Sequence, residues 1–185
     1  MNITILGATG MAGTAIAQEA TRRGHHVTSV SRNPPETNDP HTTVARLDLT
    51  DLEAPLQPVL NDADAVVLAV RMAPGDESSV APLTSHVLDH AAVAGVRVLV
   101  VGGAAPLRSP HDRELRVLDD PTFVPPQWRD VASASLDQFN ACTEHPNQNW
   151  TYLSPSAVFE PGQGTGAYRR GCLLYTSPSP RDGLL

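Results

Sequence analysis

The stretch ITILGATGMAG, residues 3–13, decides the fold: four apolar or β-forming residues run into Gly7, Gly10 and Gly13, spaced three apart. The pattern describes a strand that turns sharply into a helix, with Ala15, Ile16 and Ala20 continuing a helical spacing beyond the turn. Each glycine has a separate physical task in such a junction. Gly7 permits the tight turn, Gly10 lets backbone approach a pyrophosphate, and Gly13 lets the helix pack close to the strand. The free N–H groups and positive end of that helix then suit an anion, and the stretch reads as a dinucleotide-binding turn.

Working outward, Gly24 closes the first helix, and His26 to Val30 reads as a second strand ending at Ser31 and Arg32. An NAD-binding chain usually presents Asp or Glu there to the ribose hydroxyls. Here Arg32 offers a planar fork to a 2′-phosphate and Ser31 a hydroxyl, so NADPH is expected over NADH. Further strands are expected at residues 43–47, 64–70, 96–101 and 149–153, with helices over residues 51–60, 78–94 and 129–143. Apolar strands alternating with helices mean βαβ units. The expected fold is therefore α/β, a Rossmann-like doubly wound parallel sheet with helices on both faces. Ligands of such sheets gather outside the carboxyl ends of the strands, at the loops of Gly7, Ser31, Asp48, Val70 and Gly102.

Composition narrows the chemistry. The 185 residues are 41% hydrophobic, enough for one substantial core and one domain. A formal net charge of −7 argues against broad nucleic-acid binding. Lysine is absent and every Lys+Arg position is arginine, which excludes Schiff-base chemistry, a Walker lysine and the Tyr-x-x-x-Lys proton relay. No long apolar span or secretory leader is read, so no membrane partner is expected and the compartment expected is the cytoplasm. His86 and His90 are four apart on one expected helix but lack a third ligand at helical spacing, so no metal is expected. His111 and His145 fall in polar loops, His111 on the expected substrate side.

The last residues read differently. CLLYTSPSPRD, residues 172–182, corresponds residue by residue to a translation of the transposase end and adapter used in sequencing libraries. The expected organisation is a nucleotide-binding domain over residues 1–171, cut short at its carboxyl end, followed by a non-native tail at 172–185. With that tail set aside, Cys142 is the one remaining cysteine, and no disulfide framework is expected.

With GATGMAG at the start, Ser31-Arg32, Asp48-Leu49, VVGGA at residues 100–104 and LSPSAVFEPGQGTG at residues 153–166, the chain resembles the atypical short-chain dehydrogenase/reductase group. Within it, the chain is most similar to NADPH-dependent flavin reductases of the biliverdin reductase B type. The resemblance implies that Gly7, Thr9, Gly10, Met11, Ala12 and Gly13 wrap the pyrophosphate and that Arg32, beside Ser31, holds the 2′-phosphate. It places Asp48 and Leu49 at the adenine, and Ala69, Val70 and Arg71 at the ribose and nicotinamide. Gly102, Gly103 and Ala104 would lie under the reactive ring, with Pro155, Ser156 and Ala157 closing over it. Ala104 and Ala105 stand where tetrapyrrole-reducing relatives present a serine. The substrate expected is therefore a small planar redox acceptor, a flavin or quinone, taking hydride with protons drawn from solvent.

Other residues can be read from the sequence alone. Tyr152 falls in an apolar strand and reads as a core residue. Residues 106–128, with five prolines, read as a long loop after the fifth strand, a wall or lid carrying Leu107, Phe123 and Trp128. Beneath it, Val131, Leu136 and Phe139 mark the expected inner face of the following helix. A redox sensor that binds the dinucleotide without turnover, and more distantly a sugar-nucleotide epimerase, are the alternative functions.

Overall fold

The computed structural model describes residues 1–162 and 171–173. Within them six strands form one sheet: β1 (Asn2–Leu6), β2 (His26–Ser31), β3 (Thr42–Arg46), β4 (Ala65–Leu68), β5 (Arg97–Val101) and β6 (Trp150–Leu153). All pair in parallel in the order β3-β2-β1-β4-β5-β6. The order reverses direction next to β1, so the carboxyl ends of β1 and β4 flank a crevice. Leu6 aligns with Val30 on one side and Leu68 on the other, which brings the ends of β1, β2 and β4 level.

Among the described residues four α-helices clothe the sheet: α1 (Met11–Arg22), α2 (Gln57–Leu60), α3 (Val80–Ala94) and α4 (Arg129–Glu144). Alternation along the strands sorts the core into two faces. Ile5, Val27 and Val67 point toward Ile16, Ala17 and Ala20 of α1. Leu6, Val30, Val66, Leu68, Val98 and Val100 point the other way, onto Leu83, Val87, Leu88 and Ala91 of α3 and Cys142 of α4. Gly95 ends α3 in the left-handed conformation at φ 68°, the usual glycine stop.

Four local expectations need correction. The helix expected at residues 51–60 survives only as α2, because Asp51 folds back to accept the Glu53 N–H and Pro55 has no N–H to donate. The helix expected from residue 78 begins at Val80, after a short 3-10 turn at Glu77–Ser79. The fourth strand keeps only Ala65–Leu68 of the expected 64–70. On α4, the buried stripe is Ala134, Gln138 and Cys142, four apart, while Val131, Leu136 and Phe139 are only half-buried. Among the described residues no helix is long and apolar enough to cross a membrane. Tyr168 and residues 174–182 of the adapter-like stretch lie outside the described residues.

Candidate functional site

The glycine turn is built as its spacing requires. Gly7 adopts φ 89°, and a Cβ there would lie 2.5 Å from the Ala69 carbonyl oxygen, so β4 closes directly on the turn. At Gly13 a Cβ would lie 2.2 Å from the Gly7 oxygen, which is how α1 comes to start against the end of β1. Gly10 is looser, with the Gly7 oxygen 3.3 Å from an added Cβ. Gly7 and Ala8 donate their N–H groups to Val30 O at 3.0 and 3.1 Å, and Thr14 Oγ1 donates to Ala8 O at 3.0 Å. Those bonds fix the turn. Gly10 caps α1 with no side-chain hydrogen bond, and no acid occupies the first turn. The first N–H groups of α1 are thus left without a side-chain partner, the arrangement that suits an anion. Thr9, Gly10 and Met11 are exposed beside it.

Beyond β2 and β3 lies an open cavity of about 630 Å³ lined by Arg32, Asn33, Arg46, Asp48 and Glu53, among others. Ser31 and Arg46 are register partners, so the two strand ends deliver two guanidinium groups to one place. Neither has a salt-bridge partner among the described residues. Two acids of the cavity are locally engaged, Asp51 by accepting the Glu53 N–H at 3.0 Å. Asp48 accepts the Thr50 hydroxyl at 2.7 Å and N–H at 3.0 Å, which holds its carboxyl below the usual range, helped last by the charge of Arg32. Ser31 Oγ is buried without a hydrogen-bond partner. A buried orphan hydroxyl is uncommon, and here it stands where a nucleotide ribose would approach. Leu49 departs from its expected place: it is buried in the main core instead of facing the cavity.

At the ends of β4 and β5, Ala69 and Val70 are half-buried and Arg71 is exposed. The Arg71 guanidinium sits 5.9 Å from the ring centroid of Trp128, which is 52% exposed and belongs to a 3-10 turn, Pro126–Trp128, ahead of α4. Gly102 and Gly103 are required by what lies beneath them. A Cβ on Gly102 would meet Tyr152 Cζ at 1.9 Å, and one on Gly103 would meet Ser135 Oγ at 2.6 Å. Tyr152 donates its hydroxyl to Ser135 O at 2.8 Å and accepts the Gly103 N–H at 3.4 Å, and burial pushes its phenol up. Tyr152 thus fastens α4 to the β5 loop, which agrees with its reading as a core residue. Pro155 is half-buried just past β6.

Residues 104–124 form a unit with its own small core of Ala104, Leu107 and Val117, backed by Phe123 and Val124. Val117 N–H donates to Leu107 O at 2.8 Å and Arg108 N–H to Leu173 O at 2.7 Å. Leu107 is therefore packing, whereas Phe123 is half-buried and Trp128 exposed. Within this unit lies a cluster that sequence reasoning missed. Asp120, 4% exposed, accepts the Ser109 hydroxyl at 2.6 Å and the Thr122 N–H at 2.9 Å, and His111 Nδ1 lies 3.3 Å away. The Ser109 bond, first among these contacts, holds the Asp120 carboxyl down to about 2. The only signal in the sequence was the run Ser109, His111, Asp120, whose members are too far apart to connect without the fold.

Elsewhere the polar residues are structural. His86 and His90 meet edge-on at 4.5 Å, and His90 Nδ1 lies 3.1 Å from Gln57 Oε1. Burial, then the neighbouring His90, pushes the His86 imidazole down. No group of three or more His, Cys, Asp or Glu among the described residues is placed to hold a metal. Burial also pushes the Cys142 thiol up to about 12, leaving it inert. A second cavity, about 370 Å³ and lined by Asp89, Gly95 and His145, opens at the amino ends of β5 and β6, away from the ligand side of the sheet.

The family described as NAD(P)H-binding matches residues 7–173. The uncharacterized protein YwnB of Bacillus subtilis is 34% identical over 179 residues, covering 92% of this chain and 79% of that protein. A Streptococcus pneumoniae protein, named for a proposed NADH-flavin reductase activity, superposes with a TM-score of 0.84 at 30% identity, over 96% of this chain and 82% of that one. A Burkholderia pseudomallei protein, named as a proposed exported protein, superposes with a TM-score of 0.81 at 33% identity, over 96% and 83%. A Bacillus halodurans protein of epimerase/dehydratase name shares the fold at 16% identity, TM-score 0.67, over 90% and 74%.

Proposed function

Since the chain belongs to the NAD(P)H-binding family, we propose that it is a reductase that uses NADPH in preference to NADH and passes hydride to a flat acceptor such as a flavin or quinone. The observation that carries the cofactor half is the pairing of the close-packed glycine cradle with the orphaned Ser31 hydroxyl and the two unpaired arginines of the neighbouring cavity. The cradle N–H groups and the α1 dipole bind a pyrophosphate. Arg32, with Arg46 behind it, recognises a 2′-phosphate as a charge-assisted pair, and Ser31 donates its free hydroxyl to the same end. Asp48 is left as an exposed neighbour of the adenosine, with Leu49 supporting it from the core.

At the other end, Ala69, Val70 and Arg71 border the nicotinamide ribose, and Gly102, Gly103 and Pro155 line the approach to the ring. When bound, the reduced nicotinamide supplies the hydride. Trp128 and Phe123 offer aromatic surface to a flat acceptor. The Streptococcus pneumoniae relative supports the reductase class, although its name specifies NADH.

The test is cofactor oxidation followed by absorbance, with FMN and menadione as acceptors and NADPH and NADH compared. Turnover that favours NADPH is expected. Equal use of NADH would remove the arginines from cofactor choice, and tight NADPH binding without turnover would make the chain a redox sensor.

A further inference from the structure

The reductase reading leaves the second proton of acceptor reduction to solvent. The cluster beyond β5 offers a source within the protein, because it has the parts of an oriented acid and none of the parts of a nucleophilic site. Ser109 is fully buried and donates its hydroxyl to Asp120, so it can neither reach a substrate nor pass its proton to His111. His111 is placed differently. Its Nδ1 faces Asp120 Oδ2 at 3.3 Å, its backbone N–H is held by Ser109 Oγ at 3.1 Å, and its ring stacks on Phe123 with centroids 5.4 Å apart and planes at 16°. Two contacts on an otherwise exposed side chain, 61% accessible, with the backbone N–H anchored beside it, are an arrangement that orients the ring. With Nδ1–H donating to the carboxylate, Nε2 is the nitrogen left toward solvent.

The location supports a catalytic use. Phe123 belongs to the same small core as Ala104, which stands three residues past Val101, the end of β5, on the ligand side of the sheet. The carboxylate is well suited to the purpose. Asp120 stays ionised through the Ser109 and Thr122 donors whatever the state of the imidazole, so it stabilises an imidazolium without taking the proton itself. Two charged side chains next along the chain are engaged elsewhere: Asp112 accepts the Glu114 N–H at 2.9 Å, and Arg108 donates to Glu114 O at 3.0 Å.

We propose that His111, oriented by Asp120, is the general acid of this reductase and that the acceptor it serves carries a carbonyl oxygen, as a quinone does. The inference rests on the reductase reading. In the step, the acceptor gains two electrons and one proton as hydride from the reduced dinucleotide, which is oxidised. The Nε2–H bond of the imidazolium breaks as an O–H bond forms on the carbonyl oxygen. A quinone leaves as hydroquinone, and water returns the proton to Nε2.

The experiment compares the intact chain with His111→Gln and Asp120→Asn. It uses menadione as acceptor across pH 5 to 9, with NADPH affinity read by nicotinamide fluorescence and the His111 ring followed by NMR titration. For the unsubstituted chain, kcat should fall toward high pH as the imidazolium is lost. In His111→Gln it should drop by about 100-fold and lose that dependence while NADPH affinity stays within twofold, the order general acid catalysis supplies. Asp120→Asn should lower kcat and shift the His111 ring resonances in the NMR spectrum while NADPH affinity stays within twofold, a coupled change that mere loop packing would not produce. Turnover by His111→Gln with an unchanged pH profile would overturn this inference alone. A chain that binds no NADPH would overturn the reductase reading and this one with it.

Discussion

Substituting Gly13 by alanine probes the claim that close backbone packing, beyond the mere presence of glycine, creates the anion cradle. The new methyl would stand 2.2 Å from Gly7 O and 2.9 Å from both Ala8 Cα and Gly7 C, all of them backbone atoms that cannot swing aside. To restore ordinary contact, α1 must withdraw from β1 by about 1 Å. Overpacking of this kind costs about 2–3 kcal/mol, the upper part of the usual range, because no rotamer change relieves it. For a domain of this size that is a fall of roughly 4–12 °C in melting midpoint. The same withdrawal pulls the Met11, Ala12 and Gly13 N–H groups off a pyrophosphate, and losing one charge-assisted bond weakens NADPH binding by about 10- to 100-fold. Gly10→Ala is the internal control, since its Cβ would meet Gly7 O at 3.3 Å and needs a shift of only a few tenths of an ångström. It should stay within about 1 kcal/mol of the parent in stability. Calorimetric melting and nicotinamide fluorescence titration on the two variants read both quantities. A Gly13→Ala protein that melts and binds like the parent would refute the packing argument.

Three further outcomes follow from named contacts. Arg32→Glu should weaken NADPH binding by ~1.5–3 kcal/mol while leaving NADH nearly unaffected, since only the former carries the 2′-phosphate; equal loss for both, measured by titration, would place Arg32 elsewhere. Tyr152→Phe removes the donor to Ser135 O and the acceptor of the Gly103 N–H, and should lower stability by about 1 kcal/mol, roughly 2–4 °C in midpoint. Asp120 titrates at about 2 in the fold against about 3.9 unfolded, so its stabilisation is present above pH ~4 and is lost as pH falls toward 2. The gap in melting midpoint between the parent and Asp120→Asn should therefore narrow from pH 6 to pH 2; a constant gap would mean that the carboxylate charge contributes nothing.

The sequence by itself determined the sheet and its first ligand contact. Strand position follows from apolar runs such as Ile3 to Leu6 and Ala65 to Leu68, whose burial on both faces leaves no other packing, and the turn follows from glycine spacing, because only a residue without Cβ tolerates backbone at 2.2 or 2.5 Å. These are local constraints, written in neighbouring residues. Helix boundaries were less legible where a short-range side-chain bond competed, as at Asp51, or where a proline withheld its N–H, as at Pro55. The tertiary structure alone decided which side chains meet across the loops. Leu49 reads as a site residue beside Asp48, yet it turns into the core because the strand-end geometry faces it inward. Arg46 joins Arg32 only through the register of β2 with β3, and Arg71 meets Trp128 across 57 residues of chain. His111 finds Asp120 only once residues 104–124 close on their own small core. Periodicity reports the face a residue turns to, whereas a partner distant in sequence is selected by chain reversal and packing, which no local pattern encodes.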